Sequence, residues 1–211
     1  MSAPPKKVAF IARFGPETYM RDLLDRGVVW MNSVGHFASL VGDAQRGDPD
    51  EALVRRYSPA TARAVAEIHG VPGPKIPLPL AGPMRVWRRS DRRRAIYSLY
   101  GVDRLRDRID PRCRELGDWV VFFANGREFV SRALAAATAA GHELALKRVT
   151  YVPESHSGEM DIFTKPEGFR HQNEWRLASR DPVPGGKLVL TLGPLHDLAT
   201  LFHFDELRAR V

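Results

Sequence analysis

Glu174 and Arg176 stand two residues apart in the run Phe169-Arg-His-Gln-Asn-Glu-Trp-Arg-Leu177. In an extended segment successive side chains alternate faces, so Trp175 and Leu177 share one face while the carboxylate and the guanidinium share the other. Such a pair either forms a salt-bridged surface, the ordinary outcome for solvated charges, or lines a cleft. Two more stretches set polar groups at the ends of short apolar runs. Arg13 follows Lys7–Ala12 and precedes Phe14-Gly15-Pro16, and Asn32-Ser33 follows Val28–Met31. An arginine offers a permanently charged planar fork that suits paired phosphate oxygens, although Arg13 also fits an exposed position. Asn32 and Ser33 offer neutral hydrogen bonds, and equally suit the capping of a turn.

Other chemistries leave no trace. The chain has no GxGxxG and no GxxxxGK[ST], so both common phosphate-cradling loops are missing. It has no GxSxG nucleophile elbow. The single cysteine, Cys113, excludes a disulfide framework and sits among charges without the setting of a nucleophile. Seven histidines show no HExxH and no zinc-ligand spacing. His156 with Glu159 and His171 with Glu174 have i, i+3 spacing, which joins side chains only on a helix, and both lie in segments that read as loop or strand. No metal is expected. A metal-dependent nuclease would draw on Asp118, Asp161 and Glu174, with Glu159 nearby, but no Glu-x-Lys completes such a site.

The charge is concentrated. Eleven arginines and four aspartates fall between Arg85 and Arg114, an excess equal to the whole net charge of +7. Arg88, Arg89, Arg92, Arg93 and Arg94, with Trp87, Tyr97 and Tyr100 interleaved, suit a polyanion with stacking bases, so DNA or RNA is the expected partner. The plain alternative is a chain rich in Ala, Arg and Pro whose arginines cover solvated faces, with Arg88–Arg94 as an exposed hairpin turn between two strands.

These residues need elements to hold them. Strands are expected at Lys7–Ala12, Val28–Met31, Met84–Arg89, Ala95–Gly101, Asp118–Ala124, Leu144–Val152, Asn173–Ser179 and Lys187–Leu192. Helices are expected at Glu17–Arg26, closed by Gly27, at Ser58–His69 and at Arg127–Ala140, with Asn125 as N-cap, and a short helix or two turns at Asp197–Arg210. The order is not a regular βαβ alternation, so the expected class is α+β: two small, mostly antiparallel sheets with flanking helices in a single domain, residues 1–211. The Pro/Gly-rich stretch Val71–Pro83 would separate the N-terminal and C-terminal halves as a loop or an irregular edge segment. No apolar run is long enough to cross a bilayer, and Val8–Ala12 is too short for a signal-peptide core, so a cytoplasmic protein without membrane partners is expected.

The order of pieces resembles a group of uncharacterised bacterial and phage proteins. The matching pieces are Arg13-Phe14 at a strand end; Gly27, then Met31-Asn32-Ser33 and Phe37; Gly47-Asp48; Asp118; Phe129 and Arg132; Val149-Thr-Tyr151; Lys165; and Gln172-x-Glu174-Trp-Arg176. More distantly the layout is similar to DarT-like and other mono-ADP-ribosyltransferases. The chain lacks a Ser-Thr-Ser triplet, a Glu-x-Glu pair and a His-x-Thr on the first strand. The resemblance implies an ADP-ribosyltransferase-like fold and NAD as substrate. It makes Glu174 the catalytic glutamate. Arg13 would hold the phosphates or ribose, Asn32 or Ser33 would buttress the site, and Gln172 and Arg176 would complete the NAD-binding set. It also implies a toxin or phage-defence role, with the arginine-rich segment recruiting a nucleic-acid acceptor.

Overall fold

The computed structural model describes residues 10–40, 50–51, 53–60, 62–66, 76–102 and 109–210. In chain order the elements are β1 (Phe10–Gly15), α1 (Glu17–Arg26), β2 (Val28–Ser33), α2 (Val34–Ala38), β3 (Leu53–Tyr57), β4 (Arg63–Ala66), β5 (Ile76–Pro79), β6 (Met84–Trp87), β7 (Ala95–Val102) and β8 (Trp119–Phe123). They continue with α3 (Gly126–Ala139), β9 (Leu144–Arg148), β10 (Thr150–Val152), β11 (Gly158–Glu159), β12 (Thr164–Pro166), β13 (Glu174–Ser179), β14 (Lys187–Thr191), β15 (Ala199–His203) and α4 (Phe204–Arg210). The class is α+β with largely antiparallel pairing. One eight-stranded sheet, rather than one of two small ones, runs β14-β2-β7-β1-β8-β15, with β13 and then β9 branching from β7. Among the described residues three smaller sheets stand beside it: β11-β3-β6, β4-β5 and the parallel pair β10-β12.

The branch point shapes the molecule. One edge of β7 is paired with β13 from Ile96 to Tyr100. The other edge is shared: β1 takes Tyr100–Val102, and β2 takes Ala95 and Ile96. Tyr97, Ser98 and Leu99 therefore have no strand partner on that side among the described residues. β1 leaves to pair Arg13–Gly15 with β8, and β2 leaves to pair Val28–Met31 with β14. The sheet forks, and α1 connects the two prongs.

Local sequence accounts for the connection. Met20, Leu23 and Leu24 lie on one stripe of α1 and are buried. Gly27 then takes φ 66°, and a Cβ there would stand 2.1 Å from the Gly193 carbonyl oxygen, so only glycine fits both the turn and the close approach. The main core lies on the sheet face under α1 and α3. The small residues Ala133 and Ala137 bring α3 close, and the Phe129 ring lies tilted against Phe123 with centroids 4.2 Å apart. The opposite face carries two separate apolar clusters. Ala12, Phe14, Val120 and Phe204 make one, and Val34, Ile96, Phe163 and Ala178 make the other. Between them β7 and β13 present Ser98, Glu174 and Arg176.

Several expectations are corrected. The helix expected at Ser58–His69 is replaced by a turn at residues 58–60 and strand β4, and residues 67–70 lie outside the described residues. The Ser58 hydroxyl accepts the Ala60 N–H and its carbonyl the Ala62 N–H, so one cap-like turn forms before the chain pairs with β5. That pairing places a strand inside the stretch 71–83, of which 71–75 are outside the described residues. The expected strand Leu144–Val152 breaks at Val149 into β9 and β10, which enter different sheets. Asp197–Arg210 begins as edge strand β15 on β8 and becomes helical only at Phe204. β6 and β7 do not form a hairpin around the arginines, because β6 pairs with β3. No helix among the described residues is long and apolar enough to cross a membrane.

Candidate binding cavity and its buried charges

The fork in the sheet opens a cavity of about 580 Å3. Tyr97, Ser98 and Leu99 of β7 lie at its base, Pro16, Tyr19 and Met20 come from the start of α1, and Val28, Trp30 and Asn32 come from β2. Of the residues singled out in the sequence, Arg13, Asn32, Gln172, Glu174 and Arg176 line it together. Ser33 does not. Its hydroxyl accepts the His36 N–H at 3.2 Å and caps α2, which in turn brings His36 and Phe37 to the cavity wall.

Asn173 sets the position of Glu174. It adopts φ 37°, a left-handed turn that asparagine tolerates, and its carbonyl accepts the Gly101 N–H. The chain thus passes from the 3-10 turn Glu167–Gln172 straight into β13. The period-two reading of this strand holds: Trp175 and Leu177 join the main core, and Arg176 Nε lies 2.7 Å from Glu174 Oε1. The charged face is not a solvated one. Glu174 is 2% exposed and Arg176 0%.

Each buried charge has a partner. Glu174 Oε1 also accepts the Ser98 hydroxyl at 2.6 Å, and Oε2 lies 2.8 Å from the Lys165 ammonium. Lys165 donates to Gln172 Oε1 at 2.9 Å and stands 4.9 Å over the Phe169 ring. Arg176 Nη1 donates to Glu51 Oε1 at 2.6 Å and to the Ile162 carbonyl. Burial alone would raise the pKa of Glu174, but the Arg176 charge and then Lys165 outweigh it and hold the carboxyl below the usual carboxylate range. Burial likewise opposes the charge of Arg176, while Glu174 and Glu51 together raise its pKa. Glu174 is therefore an ionised, oriented carboxylate at neutral pH.

Arg13 occupies the fork itself. Its Nη1 donates to the Ser98 carbonyl at 2.6 Å, filling the place of the missing strand partner, and its guanidinium lies 4.5 Å over the Tyr97 ring. Its Nε is shut off from solvent and has no hydrogen-bond partner among the described residues. Burial pushes the Tyr97 phenol above its usual pKa, against the pull of Arg13. Neither Arg13 nor Lys187, across the cavity on β14, has a carboxylate partner among the described residues. The lining therefore carries Arg13, Lys165, Arg176 and Lys187 against the two carboxylates Glu51 and Glu174. This surplus favours an anionic ligand.

The remaining candidates separate. Asp118 pairs with Arg114 at 2.9 Å, Asp161 accepts the Phe163 N–H and the Thr164 hydroxyl, and Glu174 is held as above. Among the described residues no three His, Cys, Asp or Glu side chains gather as a metal site, so the nuclease carboxylates do not converge. Burial pushes the Cys113 thiol up to about 12, and its Sγ donates to the His171 carbonyl, which makes it inert at neutral pH. In the basic segment Arg88, Arg89, Arg92 and Arg93 are exposed and make no ion pair among the described residues. Arg94 instead donates to the Ser179 carbonyl at 2.7 Å and clamps two strands. Trp87 is 43% exposed, but Tyr97 is buried in the core and Tyr100 is half-buried, so neither offers a free stacking face. Arg104, Arg106 and Arg108 lie outside the described residues, as do Gly47 and Asp48.

Sequence reading missed Glu51, Ser98 and Lys187, and left without roles Trp30, Lys165 and Tyr151, whose hydroxyl accepts the Glu174 N–H at 2.9 Å. Glu51 follows the polar run Arg46–Asp50 in the sequence, with nothing to mark it. Ser98 was open to discovery through the alternation of β7. Comparison with protein-family models finds no match, and comparison with curated proteins and with solved structures finds no significant match.

Proposed function

We propose that this protein is an NAD-dependent mono-ADP-ribosyltransferase that modifies nucleic acid, acting as a toxin or phage-defence effector. The observation that carries the reading is the meeting of Arg13, Asn32 and an ionised Glu174 in one cationic cavity. In the reaction the bond between nicotinamide N1 and ribose C1′ breaks and its electron pair leaves with nicotinamide. Positive charge builds on the ribose. A fixed carboxylate hydrogen-bonded to the 2′-hydroxyl stabilises that charge, as in glycoside cleavage. Glu174 is suited to this part: Ser98 and Arg176 orient Oε1, and the Lys165 ammonium lies 2.8 Å from Oε2, so the carboxylate is fixed and charged. The acceptor nucleophile then bonds to C1′ and releases its proton to water.

Arg13 brings a permanently charged guanidinium to the cavity for the pyrophosphate, held in place by its Nη1 on the Ser98 carbonyl. Asn32 and Gln172 contribute neutral hydrogen bonds. The acceptor approaches from the exposed arginines. A Cβ on Gly35 would stand 2.9 Å from the Arg92 carbonyl oxygen, so α2, whose His36 and Phe37 line the cavity, packs directly on the arginine turn.

Incubation with labelled NAD and, separately, single-stranded DNA, duplex DNA and RNA tests the reading. The expected result is nicotinamide release and transfer of label to a nucleic acid, both reduced about a hundredfold or more in Glu174→Gln. A folded wild-type protein that neither releases nicotinamide nor transfers label overturns it. Salt-dependent oligonucleotide binding in that case would leave a non-catalytic nucleic-acid-binding module.

A further inference from the structure

Trp30 breaks the pattern of its strand in a way the proposed chemistry does not use. Val29 and Met31 on either side are fully buried, whereas Trp30 turns to the other face of β2 and is 40% exposed where it meets the cavity. A large apolar ring left open beside a charged cavity is a surface for another flat ring. Lys187 leans over it, with Nζ 3.9 Å from the ring centroid. Lys187 faces Asn32 in the β14–β2 register, so Trp30, Asn32 and Lys187 form one patch at the cavity. The ammonium has no carboxylate partner among the described residues and faces the negative side of the ring quadrupole. A four-carbon stem lets it move from the ring to an arriving anion.

We infer that Trp30 and Lys187 form the subsite for a nucleobase and its adjoining phosphate, the ADP half of a dinucleotide. The indole stacks on the base, and the Lys187 ammonium shifts to the phosphate. Asn32 offers its carboxamide to the ribose or the base edge. Glu174, at the buried end of the same cavity, is left for the other half of the ligand. The assignment rests on the nucleotide reading of the cavity but not on any transfer step, because ADP binds without chemistry.

Calorimetric titration with ADP and with ribose 5-phosphate, which lacks the base, tests it. Trp30→Ala weakens ADP binding about tenfold or more and leaves ribose 5-phosphate unchanged. Trp30→Phe recovers most of the loss. Lys187→Ala weakens both ligands and flattens the salt dependence of binding. The assignment is overturned if wild type does not bind ADP, or if Trp30→Ala and Lys187→Ala both bind it as wild type does. Val189, cross-strand from Trp30, is also exposed, so a change in sedimentation with unaltered ADP affinity would make this patch a protein contact and equally overturn it. Should Trp30→Ala fail to fold, Trp30→Phe and Lys187→Ala decide the matter. The two readings fail separately: ADP binding that depends on Trp30 without nicotinamide release removes only the transferase, and nicotinamide release indifferent to Trp30 removes only the subsite.

Discussion

Arg176 is the residue on which the buried charges depend. It neutralises Glu174 through Nε and Glu51 through Nη1, and both carboxylates are only 2% exposed. Removing one member of such a set strands the others in a medium that solvates them poorly, which typically costs about 3–5 kcal/mol. Arg176→Met should therefore lower unfolding free energy by about that amount in urea titration, more than a substitution at any exposed arginine. Glu174 adds a pH dependence. Its folded-state pKa lies below the unfolded value of about 4.3, so its contribution is fully present above that value and is lost as pH falls toward the folded pKa. Glu174→Gln should flatten the loss of stability below about pH 4, and a profile parallel to wild type would refute the buried pairing.

At the scale of elements the fork decides what can be bound. Three residues of β7 have no partner strand on one edge among the described residues because β1 and β2 diverge, and α1 holds the divergence open. The joint of that wedge is Gly27 against Gly193. Gly141 offers a comparison: its φ is also positive, at 78°, but nothing lies within 4 Å of a built Cβ. Gly141→Ala should cost about 1 kcal/mol, the backbone strain alone. Gly27→Ala should cost distinctly more, since the chain at Gly193 must also move, and thermal unfolding of the two variants measures the difference. Equal costs would show that the close approach is unimportant to β2. The same elements show how far local pattern reaches. Glu17–Arg26 with its Gly27 stop, and Asn125 capping α3 at Glu128, follow from periodicity and capping alone. Ser58-Pro59 carries an equally good helix start, yet the chain there forms a ribbon, because pairing with Ile76–Pro79 outweighs a local cap. Ala199–His203 becomes a strand because the open edge of β8 takes it.

Across the whole molecule the charges separate into two roles. Arg13, Arg94 and Arg176 are tied to backbone or buried partners, whereas Arg88, Arg89, Arg92 and Arg93 project from one turn beside the exposed Trp87. Replacing these four by serine should leave nicotinamide release intact and reduce the slope of log affinity against log salt for oligonucleotides by about 3. An unchanged slope would assign those arginines to solubility alone.

Composition and spacing were enough to indicate an α+β chain of mostly antiparallel strands, and to place Glu174 and Arg176 on one strand face, because hydrophobic period and capping act within a few residues. They did not determine whether that face met water. That depended on Lys165 and Glu51, the latter 125 positions from Arg176, arriving over it. Nor did any local signal foretell the split in the sheet that seats Arg13 opposite Ser98, 85 positions away. Contacts at such separations are selected by the packing of the whole chain, and the cavity exists only as their result.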